Sequence, residues 1–167
     1  MHPPDGAHGR AAVELDDALA RCYRHLARRE HSVAELRARL ERSALAPAIV
    51  EEALTIVIEQ GYVSDERYAR LLVEDRRSID GWGAERIRAR LEAAGIDRAL
   101  IDEALAELDP ASELAAATDL IRRRCAVPLA DDRERQRAFG MLVRQGFDAE
   151  IAYDAIRATS AAGSLHD

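Results

Sequence analysis

Residues 36–54 read LRARLERSALAPAIVEEAL, and residues 87–105 read IRARLEAAGIDRALIDEAL. At an offset of 51 with no gap, nine of the nineteen positions are identical, RARLE among them. Five more exchange like for like: Leu36/Ile87, Leu45/Ile96, Ile49/Leu100, Val50/Ile101 and Glu51/Asp102. A second shift of 51 lands on residues 138–156, AFGMLVRQGFDAEIAYDAI, where the apolar skeleton persists in Leu142, Phe147, Ile151 and Ile156. Similarity at a fixed period is the signature of a repeat architecture. The chain therefore reads as three copies of one unit.

Each quoted stretch reads as two helices joined by a tight turn. Leu36 and Leu40 stand one helical turn apart, as do Ile87 and Leu91, so each pair shares a face. Gly95 and Gly146 follow those helices where a left-handed residue is wanted, while Ala44 takes that place in the first copy. Asp97 and Asp148 sit at N-cap positions for the next helix, and Pro47 at a first helical position. Upstream of each pair lies a further apolar helix, over about residues 13–29, 65–78 and 112–125. Ser32-Val33-Ala34-Glu35 is a capping box for the second helix of the first copy.

The expected fold is all-α: three tandem three-helix repeats stacked into an elongated, curved helical body. The expected boundaries are a disordered N-terminal tail over 1–12, repeats over 13–63, 64–111 and 112–158, and a disordered C-terminal tail over 159–167.

Composition narrows the function classes. Nearly half of the 167 residues are hydrophobic, a third are charged, only 4% are aromatic, and β-branched residues form no alternating runs. All 24 basic residues are Arg, which a GC-rich genome would explain. Arg nonetheless supplies a planar donor fork suited to carboxylates and phosphates. A net charge of −7 gives the whole molecule no strong pull toward DNA or anionic membranes. No stretch approaches the ~20 uncharged apolar residues that cross a bilayer, and MHPPDGAHGR lacks the apolar core of a secretory signal. Cys22 and Cys125 are isolated and lack metal-ligand spacing, so they read as buried thiols of a cytoplasmic protein. There is no phosphate-binding Gly loop, no H-E-x-x-H pair and no metal cluster, so the chain reads as a non-enzyme without cofactors. His31 reads as a surface or turn residue, and His25 as a residue without a partner.

Charge follows the repeat. Residues 21–42 carry seven Arg against three Glu, and residues 67–98 eight Arg against six acids. Residues 119–144 carry seven Arg against four acids, whereas 46–66 and 99–114 each hold five acids and no Arg. The first two helices of each unit lean basic, and the third is acidic. Solubility and intramolecular ion pairing account for such charges one at a time, but threefold recurrence points to a collective binding role. Phe139 and Met141 replace the Arg pair of the other copies and read as core.

Four segments, in order, resemble the RecX family of regulators. Arg28-Arg29-Glu30-His31-Ser32 through Leu40 resembles that family's R-x-x-S-x-x-E-L-x-x-K-L opening. Gly61-Tyr62-Val63-Ser64-Asp65 through Ala69 resembles its G-[YF]-[LI]-[DN]-D-x-x-[FY]-A segment, with Ser64 in place of the first acid. Gly83 through Gly95 is similar to its G-x-x-x-I-x-x-x-L-x-x-x-G stretch, and Arg144-Gln145-Gly146-Phe147 to its R-[RQ]-G-F turn. The resemblance implies a monomeric modulator lying along the groove of the RecA filament on single-stranded DNA. It would inhibit RecA's ATPase, strand-exchange and co-protease activities in DNA repair and the SOS response, with a possible secondary DNA contact. The residues then expected at the filament are Arg28, Arg29, Arg37, Arg39, Arg76, Arg77, Arg86, Arg88, Arg90, Arg122, Arg123, Arg124 and Arg144. The alternative is a direct helical nucleic-acid-binding module, since a three-helix unit with Arg on its second helix resembles a helix-turn-helix domain. Dependence of binding on RecA separates the two.

Overall fold

Strong helix formers and apolar residues at helical spacing fold the chain into helices alone: nine of them, and no strand, among the residues that the computed structural model describes, 5–161. They are α1 (Asp5–Leu26), α2 (Val33–Glu41), α3 (Pro47–Glu59), α4 (Asp65–Ser78), α5 (Ala84–Ala93), α6 (Arg98–Leu105), α7 (Pro110–Arg124), α8 (Asp132–Gln145) and α9 (Ala149–Ala161). Both helices at the ends reach into the expected tails. α1 is already helical from Asp5, and α9 runs to Ala161; the remainder of both expected tails lies outside the described residues.

By packing, the chain forms two compact units, one holding the described residues up to Ala69 with Ala94–Asp97, the other Arg70–Ala93 with the residues from Arg98 onward. The first unit's core joins Ala18 and Cys22 of α1, Leu36 and Leu40 of α2, and Val50, Leu54 and Val57 of α3. Each large side chain fully buried there contributes about 1.5–3 kcal/mol. Val13, an apolar position of α1, faces solvent instead. In the second unit, Leu120 and Ile121 of α7 pack with Ala138 and Leu142 of α8, Phe147, and Ala152, Ala155 and Ile156 of α9. Ile87 and Leu91, the α5 counterparts of Leu36 and Leu40, are also fully buried. Cys22 is buried, which pushes its thiol up to about 11. Cys125 is only half-buried, less than expected.

The repeats borrow from one another at a joint that is itself repeated. Ser32 Oγ accepts from Glu35 N at 3.0 Å as the N-cap of α2, and donates to the Ala94 carbonyl at 2.7 Å. One period later, Gly83 N donates to the Gln145 carbonyl at 2.8 Å and Glu85 N to the Gly146 carbonyl at 3.1 Å. The first amides of α2 and α5 find a carboxylate from the next repeat's first helix: Val33 N to Asp65 at 2.8 Å, Ala84 N to Glu113 at 3.2 Å. The glycines of the second joint are obligatory. Gly146 holds φ +89°, and a Cβ there would collide with Arg86, while a Cβ on Gly83 would collide with Gly146. In the first copy the turn after α2 closes without a left-handed residue, through Ser43 N to the Leu40 carbonyl, which lets Ala44 stand where the others need Gly.

Candidate functional site

Equivalent positions of the three repeats show where the arginines go. Arg37 of α2 grips Glu51 of α3 through both carboxylate oxygens, at 2.8 and 3.0 Å. That bond holds the Glu51 carboxyl below its ordinary range. The same register places Arg88 of α5 on Asp102 of α6 at 2.7 Å. One period further on, the pair is Phe139 and Tyr153, whose ring centroids lie 4.6 Å apart. A clamp between second and third helices is thus ionic in two copies and aromatic in the third. Phe139 and Met141 are half-buried, so the expected core placement holds in part.

Several other arginines expected at a partner are engaged within the fold. Arg77 is largely buried, with Glu113 at 2.5 Å, and donates to the carbonyls of Trp82 and Ser112. Its guanidinium also faces the Phe147 ring at 5.5 Å. Arg76 and Arg86 both lie on Trp82, at 5.2 and 4.0 Å from the ring centre; Arg76 also binds Asp80, and Arg86 binds Gln145. Arg29 reaches Glu35, and Arg123 pairs with Asp119. Arg90 also has an interaction within the fold. Arg28, Arg39, Arg122, Arg124 and Arg144 carry no ion pair or side-chain hydrogen bond to the described residues.

In the first unit several cations act on one histidine, Arg21 among them being paired with Asp17 at 2.8 Å. His25 on α1 sits among Arg39, Arg28, Arg24 and Arg21; burial and then those charges lower its pKa from 6.5. The His31 ring lies 6.0 Å away, edge to face. His31 lies in the turn before α2, as one of its two readings had it, but is buried rather than at the surface, its Nδ1 meeting Glu35 Oε2 at 3.2 Å. Burial and Arg29 lower its pKa too, against the pull of Glu35. The Glu35 carboxylate, assigned from the sequence to a capping box, thus meets Arg29, His31 and the Tyr68 hydroxyl. Such a basic patch recognises carboxylates or phosphates through charge-assisted hydrogen bonds. Arg24 belongs to it and was missed; its place one turn before Arg28 was the available signal.

A second free basic face lies on α8 in the other unit. Arg133, Arg137 and Arg144 line one open groove with Gly140, opposite the buried Ala138 and Leu142. Only Arg144 was anticipated; the spacing 133, 137, 140, 144 would have found the others. Among the described residues there is no group of three or more metal-ligating side chains, and no helix is long and apolar enough to cross a membrane.

Comparison with known proteins matches two family models: the first three-helix domain of RecX over residues 18–55 and the second over residues 64–105. The regulatory protein RecX of Deinococcus radiodurans is 37% identical over 139 residues, spanning 83% of this chain and 66% of the relative. Those of Mycolicibacterium vanbaalenii and Thermobifida fusca are 34% and 33% identical, over 86% and 92% of this chain and 82% and 85% of theirs. The crystal structure of RecX from Lactobacillus salivarius superposes with a TM-score of 0.79 at 16% identity, over 90% of this chain and 99% of that one. A crystal structure of another regulatory protein RecX gives 0.76 at 24% identity, over 91% and 75%. At those identities the superpositions establish the fold.

Proposed function

The chain belongs to the RecX family of regulatory proteins, and from that premise we propose that it binds the RecA recombinase filament and restrains its ATPase, strand-exchange and co-protease activities. It acts without catalysis or cofactor, as a cytoplasmic monomer. The observation that carries the reading is the match to RecX over most of the chain, and the arginines Arg24, Arg28 and Arg39, whose charges act on His25, are the cations offered to a partner. An exposed ion pair is worth only ~0–1 kcal/mol. Several partly desolvated charge-assisted bonds at ~1.5–3 kcal/mol each would set an affinity. Arg37, Arg77 and Arg88 are engaged in ion pairs within the fold, of which only that of Arg77 is buried.

The test is RecA's single-strand-DNA-dependent ATPase rate, measured with increasing amounts of folded protein. Inhibition at near-stoichiometric levels is expected, weakening with salt as screening grows. An unchanged rate in excess of folded protein would overturn the proposal. The same patch suits phosphates, so tight binding to a labelled oligonucleotide without RecA would favour the nucleic-acid module instead.

A further inference from the structure

Helix α8 spends stability on its outer face. Gly140 stands in its interior, where glycine costs about 1 kcal/mol relative to alanine. Nothing in the packing demands it: a Cβ there would meet only the flexible end of Arg144 at 3.2 Å. Over Gly140 lies a shallow, open groove of about 710 Å³, edged by Arg133, Arg137, Arg144, Gln136 and Asp132. At ~100° per residue, the three arginines and Gly140 fall within about 60° of one another. All three are exposed and have no ion-pair partner among the described residues. Asp132, the carboxylate at the groove, is already held by Arg135 at 2.8 Å. The groove is therefore lined by uncompensated guanidinium charge.

We infer that this face of α8 is a docking groove for an extended acidic segment of a protein partner. The arginines lie about 6 and 10.5 Å apart along the axis at 1.5 Å rise per residue. An extended peptide presents same-face side chains about every 6.7 Å, within reach of flexible arginine stems. Carboxylates fit the fork in two-point fashion. A nucleic-acid strand would offer phosphates to the same forks, and comparison with an oligothymidylate separates it from the peptide. The inference rests on the regulatory reading only in expecting a protein partner.

The experiment uses the full chain and a fluorescein-labelled decapeptide of alternating Glu and Ala, with its Gln analogue and a ten-nucleotide oligothymidylate as comparisons. The acidic peptide should bind and the Gln analogue should not. The triple variant Arg133→Gln, Arg137→Gln, Arg144→Gln should weaken binding about ten-fold or more, having lost several charge-assisted bonds. Gly140→Glu raises helix propensity and sets a competing carboxylate among the arginines, so it should weaken binding with the fold intact. No binding by wild type, binding by both variants equal to wild type, or binding of the oligothymidylate alone would overturn the inference. RecA ATPase measured on the same wild-type sample separates the two proposals. Peptide binding without RecA inhibition sinks the regulatory reading and leaves the groove; inhibition without peptide binding does the reverse.

Discussion

Removing Arg77 strands Glu113. The carboxylate has 8% of its side-chain surface exposed, and its other oxygen is already committed to the first amide of α5. Breaking one partner out of a buried pair costs about 3–5 kcal/mol, because the remaining charge is left uncompensated. Arg77→Met is therefore expected to lower the urea-unfolding free energy by that much, while Arg123→Met, at an exposed pair, leaves it within about 1 kcal/mol. Adding Glu113→Leu to Arg77→Met should restore part of the loss, since an apolar pair carries no stranded charge. A fall for Arg77→Met no larger than that for Arg123→Met would refute the structural assignment. The distinction between these two arginines was illegible in the sequence. Arg123 meets an acid one turn away, whereas the partner of Arg77 lies 36 residues downstream, on a helix that only the fold brings near.

Among elements, the period of 51 was readable because apolar positions repeat with helical spacing, and the bounds of α4 follow from Ser64-Asp65 at its start. The start of α1 was not. Gly6 and Gly9 each cost about 1 kcal/mol in a helix, and they obscured strong formers such as Arg10, Ala11 and Ala12. The clamp between second and third helices was half legible: Glu51/Asp102 stood out as a like-for-like exchange, but its fourteen-residue link to Arg37/Arg88 did not. Where that clamp becomes Phe139–Tyr153, its chemistry changes with it. Aromatic pairs couple by about 0.5–1.5 kcal/mol beyond the area they bury. A double-mutant cycle with Phe139→Ala and Tyr153→Ala should return a coupling of that size, unchanged between low and high salt. The matching cycle on Arg88 and Asp102 should return a smaller coupling that shrinks with salt. If both cycles respond to salt alike, the two clamps are not distinct in kind.

For the molecule as a whole, the −7 net charge conceals two basic patches. The sequence showed the bias by segment, yet it could not tell a paired arginine from a free one. The same region contributes to the acid limb of stability. His25 and His31 both bind protons less readily folded than unfolded, through burial and the surrounding guanidinium groups. Between their lowered values and the ordinary 6.5, the unfolded chain holds more protons, so stability climbs with pH in that window. It is complete above about pH 6.5 and is lost as pH falls below that toward the folded values. Thermal midpoints recorded from pH 7 to 5.5 should therefore fall, and should fall less steeply in a His25→Gln, His31→Gln variant. Parallel slopes for the two proteins would place the acid sensitivity elsewhere.

The joint between repeats carries a consequence for synthesis and for dissection of the chain. The ribosome delivers α2 with its first amide open and its capping hydroxyl unanchored; Asp65, which accepts from Val33 N, and the Ala94 carbonyl, which accepts from Ser32 Oγ, arrive 32 and 62 residues later. α5 waits likewise for Glu113 and Gln145. α8 does not wait, because Asp131 and Glu134 at its own start accept from Glu134 N and Ala130 N. Maturation of the second helices thus runs one repeat behind elongation until the last, which completes itself. A fragment cut at the sequence boundary after residue 63 would end with its helix unfinished. One carried through Asp97 takes along the piece of its neighbour that finishes it.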